Sequence, residues 1–324
     1  MSHSQSIADR VIQGDRLALA RLITHIENHI EDTRQVLDML YPRSGEAHII
    51  GVTGPSGTGK STLVNVLTIE LLKSKSSEDS RIGIIAVDPT SPFTGGALLG
   101  DRVRMQRHSQ DSRVFIRSMA SRGAAGGIAR AAHDVVIAMD AAGYNPIIIE
   151  TVGAGQSEVA IASLAHTTMV IEAPGLGDDV QAAKAGLLEI ADILVVNKSD
   201  KPAAETTTAS LRRMLKFTEE IQEQESGVQW KVPLINTSAI NHAGVDQLVE
   251  AITAHQAYLR SSDMRKKSNL QRLRNQLDTM LRDALFAQWQ SGFDQKAYDA
   301  IILQVMRREV SPYQAVEMLL RQAH

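Results

Sequence analysis

The sequence contains no cysteine among its 324 residues, which excludes disulfides, thiolate metal sites and a cysteine nucleophile. An excess of charge of one sign is also missing, because 34 Lys and Arg stand against 37 Asp and Glu. The formal net charge of −3 gives no electrostatic reason to bind nucleic acid. No apolar run reaches the ~18 residues that a membrane-spanning helix needs, and Met1–Arg10 has no signal-peptide core. We therefore expect a cytoplasmic protein without a nucleic-acid or membrane partner.

The pattern of apolar residues divides the chain into three parts. Residues 1–45 carry apolar residues at helical spacing, with a break and possible cap at Gly14 and Asp15. Residues 46–258 alternate short apolar runs with helical stretches, which is typical of an α/β domain with a mostly parallel sheet. Residues 259–324 are again helical. We predict an α/β domain with N-terminal and C-terminal helical extensions.

The apolar runs of the central part locate the sheet and its binding edge. Most runs are apolar throughout, as expected for strands buried on both faces. Ligands of such sheets bind at the carboxyl ends of the strands, so the residues at those ends are the site candidates. The seven runs are residues 48–53, 82–87, 113–117, 146–150, 168–172, 193–197 and 232–237.

The first run leads into a phosphate-binding motif. Gly54–Ser61 matches G-x-x-x-x-G-K-[ST], and it lies between a predicted strand and a predicted helix, as the motif requires. Loop N–H groups and the helix N-terminus suit phosphate oxygens. Lys60 is expected to reach the β- and γ-phosphates, and the Ser61 hydroxyl to hold Mg²⁺. The candidate nucleotide-binding residues here are Gly54, Pro55, Ser56, Gly57, Thr58, Gly59, Lys60, Ser61 and Thr62.

Carboxylates end two further runs. Asp88 ends the second run and Asp101 follows in a glycine-rich segment, so both are candidates for Mg²⁺. Glu150 ends the fourth run, and Gly153 after it can offer its N–H to a γ-phosphate, as in nucleotide switches. The candidate metal ligands are Ser61, Asp88, Asp101 and Glu150, and the candidate catalytic residues are Lys60, Asp101, Glu150 and Gly153.

The residues after Gly153 bear on the rate of hydrolysis. Residue 154 is Ala, so no glutamine directly follows the glycine to orient the attacking water. Gln156 lies two residues further on, and whether it or a partner residue takes this role stays open. We expect slow hydrolysis by the isolated chain.

The sixth and seventh runs end in residues that favour guanine. Asn197, Lys198 and Asp200 form N-K-x-D. The Asp200 carboxylate can accept hydrogen bonds from N1–H and the 2-amino group of guanine, whereas adenine offers neither donor. After the last run, a backbone N–H at Ser238 or Ala239 can reach guanine O6. The sequence therefore predicts GTP and GDP as ligands.

Together these stretches resemble the MeaB/ArgK-type GTPases, the chaperones associated with methylmalonyl-CoA mutase. The resemblance covers roughly residues 5–320 and implies a P-loop GTPase fold. It also implies that Asp88 and Asp101 are linked to Mg²⁺, with Asp101 on a first switch and Glu150 at a second switch. The stretches that carry it are Gly51–Pro55, Val87–Gly96, Leu99–Arg102, Met119–Gly123, Gly126–Gly127 and Glu150–Glu158.

The resemblance also implies partners. It implies a cobalamin-dependent acyl-CoA mutase, faced by a third switch at Gly175–Gly186, and a homodimer formed by a C-terminal arm. The last part of that switch, Gln181–Gly186, departs from the Gln-Gly-Ile-Lys-Lys-Gly of many members, which leaves the particular mutase open. The arm carries an apolar stripe that could pack on its own domain or on a second subunit, and the resemblance favours the second subunit. The stripe contains Leu270, Leu273, Leu277, Met280, Leu281 and Leu285.

Two other functions remain open. A metal-insertion GTPase would share the fold, but such proteins deliver metal through Cys and His sites and this chain has no cysteine. A nucleotide-dependent kinase of the amino-acid transport type needs an acceptor pocket and a base, and the sequence shows no dedicated pair.

Overall fold

The computed structural model describes residues 3–28, 30, 32–74, 80–88, 111–120, 125–151, 163–175, 189–222, 230–261, 264–292 and 295–322. The chain forms two compact units, residues 1–263 and 264–324. Among the described residues, no helix has both the length and the apolar character needed to cross a membrane.

The first unit is an α/β structure built on seven strands. The strands are β1 (Ile49–Thr53), β2 (Ile82–Asp88), β3 (Val114–Ala120), β4 (Ile147–Thr151), β5 (Thr167–Glu172), β6 (Ile193–Val196) and β7 (Leu234–Asn236). The helices are α1 (His3–Ile12), α2 (Arg16–Glu27), α3 (Thr33–Leu40), α4 (Lys60–Ser74), α5 (Ala125–Ala141), α6 (Ala204–Gln222) and α7 (Val245–Ser261), with a 3-10 turn at Tyr41–Arg43.

All seven strands form one parallel sheet in the order β3-β2-β4-β1-β5-β6-β7. The strand β1 lies at the centre, with β4 on one side and β5 on the other. Every carboxyl end therefore points to the same edge, and the loop after β1 lies in the middle of that edge. The predicted P-loop α/β fold is confirmed, and each of the seven apolar runs overlaps a strand.

Helices cover both faces of the sheet. On one face α1, α2, α3 and α5 pack against β2, β3 and β4, and a smaller cluster lies beside α6. On the other face α4 and α7 pack against β1, β5 and β6. Alternate residues of a strand point to opposite faces, so Ile50 and Val52 face α4 while Thr53 points the other way.

The N-terminal helices are fastened to the edge strand β3. Gly14 has a positive φ of 78°, and Asp15 caps α2 by accepting from the N–H groups of Leu17 and Ala18. The break predicted at these two residues is confirmed. The Arg16 guanidinium donates to the carbonyl oxygens of Ser112 and Val114, so α2 covers backbone acceptors of the sheet edge.

The strand β3 extends past the apolar run that predicted it. The run ends at residue 117, yet pairing with β2 continues to Asp88↔Ala120. Arg117 is tolerated there because its guanidinium pairs with Glu27 of α2. A polar residue that pairs with a covering helix ends the apolar pattern without ending the strand.

The second unit is helical. It consists of α8 (Met264–Ser291), α9 (Gln295–Met306) and α10 (Pro312–Gln322). The Trp289 indole N–H donates to the Leu319 carbonyl oxygen at 3.3 Å, which joins α8 to α10. Many large apolar side chains of this unit are exposed, among them Leu270, Leu273, Leu277, Leu281, Leu285, Phe286, Met306, Tyr313 and Leu320.

Candidate nucleotide-binding site

The loop between β1 and α4 closely approaches its neighbours, and two of its glycines are required by that approach. Gly54 has φ 135°, and a Cβ at this position would lie 2.1 Å from the carbonyl oxygen of Ile171 in β5. Gly59 has φ 89°, and a Cβ there would lie 2.6 Å from the Asn197 side-chain nitrogen. The glycine positions of the predicted motif are therefore steric as well as conformational requirements.

Lys60 is buried at the first position of α4 and folds back over the loop. Its Nζ donates to the carbonyl oxygens of Gly54 at 2.8 Å and Pro55 at 2.9 Å. The Thr58 hydroxyl also donates to Pro55, at 3.0 Å. The ammonium group thus lies inside the curve of the loop. Ser56, Gly57 and Thr62 are the exposed members of the motif.

Two oxygen donors meet at the start of α4. The Ser61 hydroxyl donates to Oε1 of Glu150 at 2.6 Å. Glu150 is 5% exposed and belongs to β4, whose register places it beside Val52 of β1. Hydroxyl and carboxylate oxygens are the donors that Mg²⁺ prefers, so this pair fits the predicted metal site.

The other candidates for the metal and switch positions are only partly described. The last residue of β2, Asp88, reaches the same edge, because its neighbour Val87 pairs with Thr151 of β4. Only the backbone of Asp88 is described. Asp101 and Gly153 lie outside the described residues, as does the predicted third switch after Gly175.

Asn197 joins three elements of the site. Its side-chain N–H₂ donates to the Thr58 carbonyl oxygen of the phosphate loop at 2.9 Å. Its Oδ1 accepts from the Thr237 hydroxyl and from the Ala239 N–H, both at 3.2 Å. The loop after β7 is thereby held against the phosphate loop. The Ala239 N–H, expected to reach guanine O6, here donates to Asn197.

Lys198 makes a second link to the phosphate loop. Its φ of 59° is in the left-handed region, which is uncommon for a residue with a side chain. Its Nζ donates to the Gly57 carbonyl oxygen at 2.7 Å. The N-K-x-D segment and the phosphate loop are consequently one connected structure.

Asp200 is exposed at the edge of this structure and is held by Ser238. The Ser238 hydroxyl donates to Oδ1 of Asp200 at 2.6 Å. This hydrogen bond is the main reason why the pKa of Asp200 lies below its ordinary value. An ionised carboxylate has about four acceptor sites, so it can still accept the two donors of a guanine base.

Two further features of this edge were not predicted from the sequence. The Thr151 hydroxyl donates to that of Thr53 at 3.1 Å, and both residues are buried. This hydrogen bond connects Thr53, which precedes the phosphate loop, to Thr151, which follows Glu150. Glu172, 3% exposed, ends β5, and its carbonyl oxygen accepts from the Asn197 N–H at 2.8 Å. Polar residues that end apolar runs were the available signal for both.

Known proteins are similar to this chain over most of its length. The model of the family described as methylmalonyl Co-A mutase-associated GTPase MeaB matches residues 19–294. This chain belongs to that family. GTPase ArgK of Escherichia coli is 34% identical over 96% of this chain and 93% of its own length. A protein of Pyrococcus abyssi is 43% identical over 98% of this chain and 95% of its own.

A solved structure agrees with the fold of this MeaB-family chain. The crystal structure described as LAO/AO transport system kinase superposes with a TM-score of 0.72 at 25% identity, covering 99% of this chain and 98% of that one. The chain is thus a MeaB/ArgK-family GTPase with a P-loop fold, and membership of this family implies guanine nucleotide as its ligand.

Proposed function

We propose that this MeaB-family chain is a Mg²⁺-dependent GTPase. Its nucleotide state would gate cofactor loading or protection of a cobalamin-dependent acyl-CoA mutase such as methylmalonyl-CoA mutase. The observation that carries the nucleotide part is the direct connection between base-recognition and phosphate-binding segments. Asn197 and Lys198 each hold a carbonyl oxygen of the phosphate loop. A cytoplasmic location remains a prediction.

The proposed roles follow from the positions of the residues. Lys60 releases its two carbonyl acceptors and pairs with phosphate oxygens, while loop N–H groups surround them. Asp200 accepts from guanine, and Ser238 and Ala239 complete the base pocket. When bound, Mg²⁺ neutralises charge on the β- and γ-phosphates. The residues that would hold it are Ser61, Asp88, Asp101 and Glu150.

A Mg²⁺ titration tests the metal pair. Ser61→Ala removes the hydroxyl next to Glu150, so the Mg²⁺ concentration that half-saturates GTP-analogue binding should rise about tenfold. Ser74→Ala is the matched control, because it removes a hydroxyl at the other end of α4. Equal Mg²⁺ dependence in Ser61→Ala and wild type would remove Ser61 from the metal site.

Hydrolysis should be slow without a partner, since residue 154 is Ala where many switch GTPases carry a water-orienting glutamine. Single-turnover phosphate release well below one per second is expected for the isolated chain. Rates of tens per second would contradict the proposal.

The mutase part is supported by the family description and by the third-switch resemblance of Gly175–Gly186. If the mutase prefers one nucleotide state, mutase binding must shift nucleotide affinity by the same factor, typically about 5–150-fold. The measurement is GTP-analogue and GDP affinity with and without the cognate mutase. Equal affinities in wild type would refute the coupling.

A triple variant tests whether the predicted third switch recognises the mutase. Removing the charges of Asp178, Asp179 and Lys184 by alanine should leave GTP affinity of the free protein nearly unchanged and flatten the mutase-dependent shift. A matched control removes two exposed acids and one exposed base on α6 and α7, by the substitutions Asp246→Ala, Glu250→Ala and Lys216→Ala. A full shift in the first variant would place mutase recognition elsewhere.

We also propose that the exposed apolar residues of α8 form a homodimer contact. Leu277 is 63% exposed and lies in a stripe at helical spacing. Leu277→Glu should shift the molar mass from dimer to monomer in light scattering. Phe217→Glu is the control, since Phe217 of α6 is equally apolar and 67% exposed. A monomeric wild type, or a dimer that survives Leu277→Glu, would contradict this contact.

The description of the solved relative as a transport system kinase supports one alternative. A kinase would transfer the γ-phosphoryl group to an acceptor instead of water. Incubation with γ-labelled GTP and candidate amino acids or proteins separates the two, because the proposal requires label only in inorganic phosphate.

A further inference from the structure

A buried chain of hydrogen bonds lies at the edge of the sheet opposite the nucleotide site. The Thr167 hydroxyl, at the start of β5, is 2.8 Å from Nε2 of His48 and 2.8 Å from Nδ1 of His255. His48 precedes β1, and His255 belongs to α7. All three residues are buried: His48 is 6% exposed, Thr167 0% and His255 2%.

The chain continues towards solvent through Asp192. The Nε2 atom of His255 is 3.4 Å from Oδ1 of Asp192, whose side chain is 34% exposed. Asp192 precedes β6, and its other oxygen accepts from the Thr168 N–H at 2.8 Å. The network therefore connects the starts of β1, β5 and β6 to α7.

Two aromatic residues cover His255. The Trp230 ring centroid lies 4.6 Å from that of His255, and the indole N–H donates to the Asp192 carbonyl oxygen at 2.8 Å. Tyr258, one turn further along α7, stacks on His255 at 6.1 Å. His255 thus lies between a partly exposed carboxylate and an indole that can report on its charge.

The proton positions of the neutral network follow from its geometry. The Asp192 carboxylate can only accept, which favours a proton on Nε2 of His255. Nδ1 of a neutral His255 is then an acceptor, and the Thr167 hydroxyl donates a hydrogen bond to it. The Thr167 oxygen in turn accepts from Nε2–H of His48. Each histidine is held in one tautomer while both rings are neutral.

We propose that this network is a proton-responsive latch between the strands and α7. A proton from solvent that binds Nδ1 of His255 turns this atom from acceptor into donor. The Thr167 hydroxyl then rotates so that its oxygen accepts from the new N–H of His255, which makes the bond charge-assisted, and the positive ring is compensated by Asp192. No covalent bond other than the new N–H forms or breaks.

The titratable groups around His255 determine whether its protonated, positively charged ring is stabilised. Asp192 favours the charged ring, whereas burial of His255 opposes it. His48 is linked to it through Thr167, and His166 stacks on His48 at 5.6 Å while its Nδ1 accepts from the Ile49 N–H. Tyr258 faces the ring from α7 itself. Proton uptake at His255 is therefore the event that reverses the bond between β5 and α7.

The latch lies next to the end of the first unit. His255 belongs to the last two turns of α7, which ends at Ser261, and the helical second unit begins at Met264. Proton uptake therefore changes the contact that holds this end of α7 to the start of β5. The inference is independent of the proposed mutase partner.

Trp230 fluorescence tests the proton uptake. In a Trp289→Phe background Trp230 is the only indole, since the chain has two tryptophans. A protonated imidazole in contact quenches indole emission, so emission should fall on acidification with one midpoint in the histidine range. Asp192→Asn should move that midpoint about one pH unit lower, because it removes the neighbouring negative charge.

Controls separate the latch from general acid effects. His255→Gln should abolish the transition, whereas His242→Gln, at an exposed loop position, should leave it unchanged. A transition that persists in His255→Gln, or a midpoint that does not move in Asp192→Asn, would overturn the assignment.

Hydrogen exchange tests the mechanical consequence. Amide exchange in α7, corrected for the intrinsic pH dependence, should decrease several-fold from about pH 7.5 to below the fluorescence midpoint, because charge-assisted contacts to Thr167 and Asp192 then hold the helix. Exchange in α4 is the internal reference and should stay constant. Unchanged protection of α7 after the fluorescence transition would show that His255 titrates without tightening the latch.

Discussion

Replacing Asp200 by Asn tests how the base is recognised, and the structure specifies which way the new amide points. Oδ1 of Asp200 accepts from the Ser238 hydroxyl at 2.6 Å. If the variant keeps this bond, its Nδ2 takes the place of the oxygen that faces the base. A donor then meets the N1–H and 2-amino donors of guanine, whereas it suits the 2-oxo group of xanthine.

The size of the effect follows from the number of bonds lost. Two hydrogen bonds to a charged acceptor disappear, and donors of guanine are left facing a donor. We expect guanine affinity to fall about 10³-fold in Asp200→Asn. Adding Ser238→Ala lets the amide rotate and offer its oxygen to one guanine donor, which should restore roughly tenfold.

The assay is competition against a fluorescent GDP analogue, with GTP and xanthosine triphosphate titrated into wild type, Asp200→Asn and the double variant. The preference should change from guanine to xanthine in the single variant and weaken in the double variant. An unchanged guanine preference in Asp200→Asn would refute the base assignment. Equal behaviour of single and double variants would refute the role of Ser238 in orienting the side chain.

Three other substitutions test separate features. Because the Ser238 bond lowers the pKa of Asp200, Ser238→Ala should raise that pKa, so the loss of GTP affinity on acidification should begin at higher pH in a binding titration. Gly54→Ala places a methyl group 2.1 Å from the carbonyl oxygen of Ile171 and should abolish nucleotide binding and lower the free energy of unfolding by about 1–3 kcal/mol, measured with urea. The Tyr144 hydroxyl is buried without a hydrogen-bond partner in the described part of the chain, and burial raises its pKa. Tyr144→Phe should therefore leave the free energy of unfolding unchanged or raise it by up to about 1 kcal/mol; a loss of that size would contradict this environment.

Those parts of the site that depend on local sequence could be predicted. A glycine-rich loop between a strand and a helix can be located from the sequence alone, and so can a polar tetrapeptide after a buried strand. Both are expected at the same edge of the sheet, because the carboxyl ends of parallel strands lie there. Lys60 and Asn197 do lie at this edge, each bonded to the phosphate loop. The sequence could also predict seven strands, since apolar runs bounded by turns mark them.

Contacts that depend on strand order could not be predicted. The hydrogen bond between Thr53 and Thr151 requires β1 and β4 to be neighbours. The sequence of either strand does not show which strand lies beside it. The histidine network is a stronger case, because Thr167 lies 119 residues from His48 and 88 from His255 along the chain. Each histidine alone is unremarkable in the sequence, and only the sheet order brings them to one hydroxyl.

The central position of β1 explains why so few residues connect the whole nucleotide edge. The loop after β1 receives Glu150 from β4 at Ser61, and Asn197 from the end of β6 at Thr58. Thr58 of the loop and Ser61 of α4, which make these two contacts, are therefore only three residues apart, and the start of the loop packs against Ile171 of β5. A change in either contact acts on the same short backbone, because Gly54 and Gly59 at its two ends have no free space around them. The contacts proposed for base recognition and for the phosphates therefore lie on one short element in this architecture.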